Sequence, residues 1–227
     1  MKGIIADMKF GGETLRLYAV TDRAWTGDMT IFEQVECALK GGVTCVQLRE
    51  KYLCGEDFLE EAVRMKEICS AYGVPLIIND NISVALRSGG DGIHVGQSDM
   101  GVRKVRESVG GGFIIGASAH TAAQAVEAER AGADYIGAGA VFPTGTKPDA
   151  GCISMDELKL ITASVKIPVV AIGGINKLNI SALSGSGVSG AALVSAIFSA
   201  ADIEKECREL YILSEKMIKR GSLENEA

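Results

Sequence analysis

Residues 75–99 read PLIINDNISVALRSGGDGIHVGQSD, and their pattern decides the fold. Two short runs, PLIIND (75–80) and GIHVGQ (92–97), carry apolar residues on both faces. Between them lies a helical stretch that closes at Ser88–Gly90, where glycine relieves the left-handed turn out of a helix. A strand buried on both faces, then a helix, then another such strand, is the repeating unit of a parallel sheet covered by helices.

The same unit recurs outward in both directions. LRLYAVTD (15–22), TCVQLRE (44–50), FIIGASA (113–119), YIGAGAV (135–141), PVVAIGG (168–174) and GAALVSAI (190–197) supply six more candidate strands. FEQVECALKGG (32–42), EDFLEEAVRMKEICSAYG (56–73) and TAAQAVEAERAGA (121–133) place apolar residues at helical spacing with charges between them. Gly41–Gly42, Gly73, Gly89 and Gly132 stand where helices end, and Thr121 where one begins. Eight strands in about 200 residues point to closure, as in barrels of about 250 residues. The first unit, YAVTDRAW, lacks the GxGxxG turn of an open doubly wound sheet. The expectation is a single α/β (β/α)8 TIM barrel over 14–218, an N-terminal arm at 1–13 and a frayed polar tail at 219–227.

Composition agrees with one barrel. Hydrophobic residues make up 47% of the 227, and 28 glycines serve many tight turns. A net charge of −6 argues against nucleic acid or an anionic membrane as partner. Six scattered cysteines without a CxxC pair read as reduced thiols of a cytoplasmic protein. MKGIIADMKFGGET has no signal-peptide core, and no run of about 18 apolar residues reads as a membrane span. A homo-oligomer stays open.

Active sites of such barrels sit at the C-terminal ends of the strands. The second strand ends in Gln47, Arg49 and Lys51 on one face, cations that are costly to bury without anions. Glu50 is their candidate salt-bridge partner. Asn79–Asp80 alone marks a helix start. Beside that basic strand and with Asp99 on the next rim, Asp80 reads instead as half of a carboxylate pair for Mg²⁺. PTGTK (143–147) combines hydroxyls, glycine and Lys147 into a phosphate cradle. Gly173–Gly174 follow strand seven and Val194–Ser195 end strand eight, just before a helix, where many barrels hold phosphate. His94 reads as structural. His120 reads either as a loop cap or as reaching the mouth, and Trp25 either as a cover or as a loop anchor.

VQLREK (46–51), IIND (77–80), DGIHVGQSD (91–99), IGASAH (115–120), GAVFPTGTK (139–147), IGGI (172–175) and VSAI (194–197), in this order, resemble the thiamine-phosphate synthase family from Leu15 to Ile197. The resemblance implies a Mg²⁺-dependent transferase. Its substrates are 4-amino-2-methyl-5-(diphosphooxymethyl)pyrimidine and 4-methyl-5-(2-phosphoethyl)thiazole or its carboxylated form. It releases pyrophosphate by dissociative substitution through a pyrimidine methylene cation. By motif position, Gln47, Arg49, Lys51, Asn79, Ser118 and Lys147 would bind the pyrimidine diphosphate, with Arg49, Lys51, Ser118 and Lys147 catalytic. Asp80 and Asp99 would hold the metal. Thr144, Thr146, Gly174, Val194 and Ser195 would bind the thiazole phosphate.

Ser98 stands where many relatives carry an acid, and Ala119 falls within the Ser-x-His segment. Neither removes a proposed ligand. A related thiazole tautomerase would need His120 but not the carboxylate pair or the TxTK segment. A non-catalytic phosphate-binding barrel would have lost a rim ligand, and none is lost.

Overall fold

A computed structural model describes residues 10–97, 99–145 and 151–225. Eight parallel strands close into a barrel in chain order, β8 pairing back onto β1. They are β1 (Leu17–Val20), β2 (Cys45–Leu48), β3 (Leu76–Asn79), β4 (Gly92–Val95), β5 (Ile114–Ala119), β6 (Tyr135–Gly139), β7 (Val169–Ile172) and β8 (Gly190–Leu193). The (β/α)8 barrel expected from the periodicity is therefore the observed architecture. Every strand lies inside its expected run and is shorter than it. The polar ends of those runs leave the ladder and become rim.

The helices are α1 (Ile31–Lys40), α2 (Gly55–Ala71), α3 (Ile82–Arg87), α4 (Val102–Val109), α5 (Ala122–Arg130), α6 (Met155–Ser164), α7 (Ser195–Phe198) and α8 (Ile203–Asn225). Side-chain oxygens start several of them: Thr30 for α1, Asn81 for α3, Thr121 for α5 and Ser154 for α6 each accept a backbone N–H of the first turn. Gly42, Gly73, Gly89 and Gly132 follow α1, α2, α3 and α5 with φ between 67° and 102°.

Three boundaries differ from expectation. The eighth strand stops at Leu193, and 195–197 of the expected run belong to α7. Between β7 and β8 the chain makes only a 3₁₀ turn, Ile180–Leu183, whose buried Ile180 and Leu183 cover the sheet there. Residues 219–225, expected to fray, continue α8. Gly221 makes this possible: a Cβ there would lie 2.8 Å from Gly185 N, so the last turns pack closely under the β7–β8 connection. Residues 1–9 of the expected arm lie outside the described residues. Phe10 and the 3₁₀ turn Gly12–Leu15 belong to the barrel, with Leu15 fully buried.

Alternation along each strand divides the core in two. Outward side chains such as Leu17, Val46, Ile78, Ile93 and Ile136 pack against the helices. Tyr18, Val20, Cys45, Ile77, Tyr135, Val170 and Ala192 fill the barrel, with Phe10 against them. The Phe10 and Tyr135 rings sit 5.6 Å apart.

Candidate functional site

The barrel interior is polar above its apolar floor. Tyr18 on β1 and Tyr135 on β6 bring their hydroxyls to 2.8 Å. Gln47 on β2 donates its amide N–H to Tyr18 Oη at 2.9 Å. His94 on β4 meets Tyr135 Oη through Nδ1 and Ser118 Oγ on β5 through Nε2, each at 3.0 Å. Burial raises both tyrosine pKa values well above normal, so these hydroxyls stay protonated. Tyr135 needs Gly116 opposite it, because a Cβ there would lie 2.1 Å from the ring.

Over this floor opens one cavity. Gln47, Arg49, Asn79 and Ser118 line it from β2, β3 and β5, and Thr144, Gly174, Val194 and Ser195 from the loops after β6, β7 and β8. Eight of the residues expected in the site thus come together from both sides of the mouth. Thr146 and Lys147 lie outside the described residues. Gly174, at φ 63°, fits where no other residue would: a Cβ would lie 2.4 Å from Pro143 O, so the β6 and β7 loops touch.

Lys51 is exposed and does not line the cavity. Glu50 also departs from its expected role. It pairs with Arg23, which in turn pairs with Glu61 of α2. The Glu50 carboxylate additionally accepts the backbone N–H groups of Lys51 and Tyr52, each at 2.8 Å. Burial pushes the Glu61 carboxyl up, and the Arg23 guanidinium opposes this. Arg49 turns instead to Asp22, 3.6 Å away, while its backbone N–H donates to Thr21 Oγ1 at 3.0 Å. The cation that faces the cavity is therefore set by the loop after β1.

Asp80 and Asp99 stand near each other on the rim, and neither lines the cavity. Asp80 adopts φ 60°, an uncommon conformation for a residue with a Cβ. Its N–H donates to His94 O at 2.9 Å and its Oδ2 accepts from the Asn79 amide at 2.5 Å. Asp99 Oδ2 accepts the Gly96 N–H at 2.6 Å. Partial burial, then the facing Asp99 carboxylate, raise the Asp80 pKa to about 6. Two carboxylates so placed repel each other until a cation or a proton separates them.

His120 lines the cavity, and its Nδ1 lies 2.5 Å from Gly139 O. Trp25 is half exposed, does not line the cavity, and accepts the Gln34 amide at its carbonyl. Tyr18 and Tyr135 escaped the sequence reading, whereas His94, read as structural, is hydrogen-bonded to Tyr135 and Ser118. Alternation with Val20 was the available signal for Tyr18. Nothing local announced Tyr135, whose partners are 41 and 117 residues away.

A family model for thiamine monophosphate synthase matches residues 17–197, which include every strand and the whole cavity. The chain belongs to that family. It is 48% identical to a thiamine-phosphate synthase from Clostridium acetobutylicum over 201 residues, covering 88% of this chain and 95% of the relative. A thiamine-phosphate synthase from Enterococcus faecalis is 45% identical over 206 residues, 91% of this chain and 97% of its own. Among solved structures, thiamine phosphate pyrophosphorylase from Pyrococcus furiosus superposes with a TM-score of 0.85 at 39% identity, covering 91% of this chain and 98% of that one. A 3-hexulose-6-phosphate synthase shares the fold alone, at 17% identity and a TM-score of 0.62, covering 88% and 99%.

Proposed function

We propose that the chain is a thiamine-phosphate synthase that joins the pyrimidine diphosphate to the thiazole phosphate and releases pyrophosphate. The observation that carries this reading is one cavity lined by four residues of each set, in a chain of this family. One side offers Arg49 and the amides of Gln47 and Asn79. The other offers hydroxyls and close-packed glycine backbone, the chemistry of a phosphate cradle.

In the reaction the methylene C–O bond breaks and its electron pair leaves with pyrophosphate. The thiazole nitrogen's lone pair then forms the new C–N bond to the methylene cation. Developing charge on the leaving group is the main barrier, and fixed positive charge is the main remedy. Arg49 supplies it at the cavity wall, with Lys51 and Lys147 as the further cations of the reading. Gln47, Asn79 and Ser118 orient the pyrimidine diphosphate, while Thr144, Thr146, Gly174, Val194 and Ser195 hold the thiazole phosphate. Holding two substrates in line, away from water, is what the barrel mouth contributes.

No protein nucleophile is needed. Cys45 is the thiol facing the barrel interior, and burial pushes its pKa up, away from the thiolate.

Asp80 and Asp99 fit Mg²⁺. Among the described residues no group of three or more His, Cys, Asp or Glu gathers as a metal site. Magnesium needs no such group, since it takes one or two carboxylates together with waters and substrate phosphates. When bound, the metal would neutralise diphosphate charge next to Arg49.

Among the described residues no helix is long and apolar enough to cross a membrane. Action in the cytoplasm on small-molecule substrates, without nucleic acid or membrane as partner, belongs to the same reading.

The test is direct. Purified protein with both substrates and Mg²⁺ should yield thiamine phosphate and pyrophosphate in equal amounts, and chelation should abolish both. No product with both substrates and metal present would overturn the assignment.

A further inference from the structure

Five polar side chains, of which all but Tyr135 line the cavity, form one continuous hydrogen-bonded line: Gln47, Tyr18, Tyr135, His94, Ser118. Its polarity follows from counting protons. An amide nitrogen only donates, so Gln47 Nε2 makes Tyr18 Oη an acceptor. The single Tyr18 proton must then go elsewhere. Tyr135 Oη stands 2.8 Å away, whereas the other neighbour, the Cys45 sulfur, is a weak acceptor. Tyr135, having accepted one proton, passes its own to His94 Nδ1. That leaves the His94 proton on Nε2, donated to Ser118 Oγ. The Ser118 hydroxyl proton is in turn released toward the cavity that Ser118 lines.

The opposite polarity reverses every step. The Tyr18 proton would fall to sulfur, His94 would carry its proton on Nδ1, and Ser118 would donate downward. Its lone pairs would then face the ligand. An anionic ligand would be repelled by that arrangement and is bound by the first.

We infer that Gln47, Tyr18, Tyr135 and His94 form a polarity relay that fixes Ser118 as a hydrogen-bond donor to an anionic oxygen of the bound substrate. Tyr18, Tyr135 and His94 are positioning residues that act through Ser118. The inference rests on the proposed reading of Ser118 as a substrate-binding hydroxyl. The relay also ties β1, β2, β4, β5 and β6 together beneath the mouth, so the donor direction is set by tertiary structure at five strands.

Two measurements test it. In the ¹⁵N-histidine-labelled full chain at pH 8, two-bond ¹H–¹⁵N correlation should show His94 as the neutral Nε2–H tautomer. The resonance is assigned by its loss in His94→Gln. A wild-type Nδ1–H tautomer would overturn the relay, and this readout needs no catalysis and no further variant. Second, Tyr135→Phe should lower kcat/KM about 10-fold when Ser118 is present, the size of one charge-assisted hydrogen bond. In the Ser118→Ala background the same change should cost less than about twofold, because coupled residues are not additive. An equal loss in both backgrounds would make Tyr135 merely structural and overturn the inference. Wild-type protein that makes no thiamine phosphate would overturn the functional reading instead, leaving the tautomer result to stand on its own.

Discussion

The rim over β1–β4 and the rim over β6–β8 differ in the groups they carry, and Arg49 and Thr144 line one cavity between them. The first is built from full charges: Arg49 beside Asp22, Arg23 between Glu50 and Glu61, and the Asp80–Asp99 pair. The second, among the described residues, is built from hydroxyls and backbone, with Gly174 letting the β6 and β7 loops meet. In the proposed reaction, full charges would serve the side where charge develops, and neutral donors the side where a phosphate is only held. The charged side also stores conflict, because its two carboxylates oppose each other. The neutral side does not.

The largest expected effect is on catalysis from the charged side. Arg49→Ala should lower kcat by about 10²–10³-fold, the cost of removing one fixed charge-stabilising group. Steady-state kinetics with both substrates would check this. Loss confined to KM for the thiazole phosphate would break the division of the rim.

Next comes stability. Arg23→Ala leaves the Glu50 and Glu61 carboxylates, whose side chains are 1% and 7% exposed, without their shared cation. Breaking such a pair from one side costs roughly 3 kcal/mol. The urea midpoint should fall accordingly. An unchanged midpoint would show that the β1 and β2 loops are held by other contacts.

Smaller still is the neutral side's contribution. Ser195→Ala should raise KM for the thiazole phosphate about 10-fold or less with kcat unchanged, as expected when a hydrogen bond serves binding alone. A large kcat loss would show that this half, too, works on the transition state.

The smallest effect carries the opposite sign. The Asp80 pKa of about 6 lies above the ordinary carboxylate range, so its protonated form is favoured by the fold. For this group, stability of the metal-free enzyme falls as pH rises through about 6, and Mg²⁺ affinity falls as pH drops through the same value. Asp80→Asn should therefore raise the Tm of the metal-free enzyme by roughly 1–3 °C, a figure kept small by solvent screening at the open rim. It should abolish the Mg²⁺ response at the same time. A lower Tm would mean that the two carboxylates do not oppose each other.

Much of this was legible in the chain itself because barrels are built from local repeats. A strand apolar on both faces, a helix with one apolar stripe and a glycine after it are each readable within about ten residues. Rim residues such as Gln47, Arg49, Asn79 and Ser118 could be found because a strand's C-terminal end is a local position too. The short α7, the continuation of α8 past Lys219 and the 3₁₀ turn before β8 were not readable. Each depends on what it packs against, as Gly221 on Gly185 shows.

The partner of Glu50 was misread for a related reason. Sequence proximity pointed to the cations on its own strand, but side chains one residue apart on a strand face opposite ways. Arg23, from another strand's loop, fills that role. By itself the sequence determined the barrel, the strand centres and the residues at the strand ends, since periodicity and turn chemistry act over a few residues. Only the tertiary structure decided that eight of those residues share one cavity, that Asp80 and Asp99 oppose each other, and that a line of hydrogen bonds runs from Gln47 to Ser118. Those relations join strands far apart in the chain, and closure of the barrel is what brings them within 3 Å.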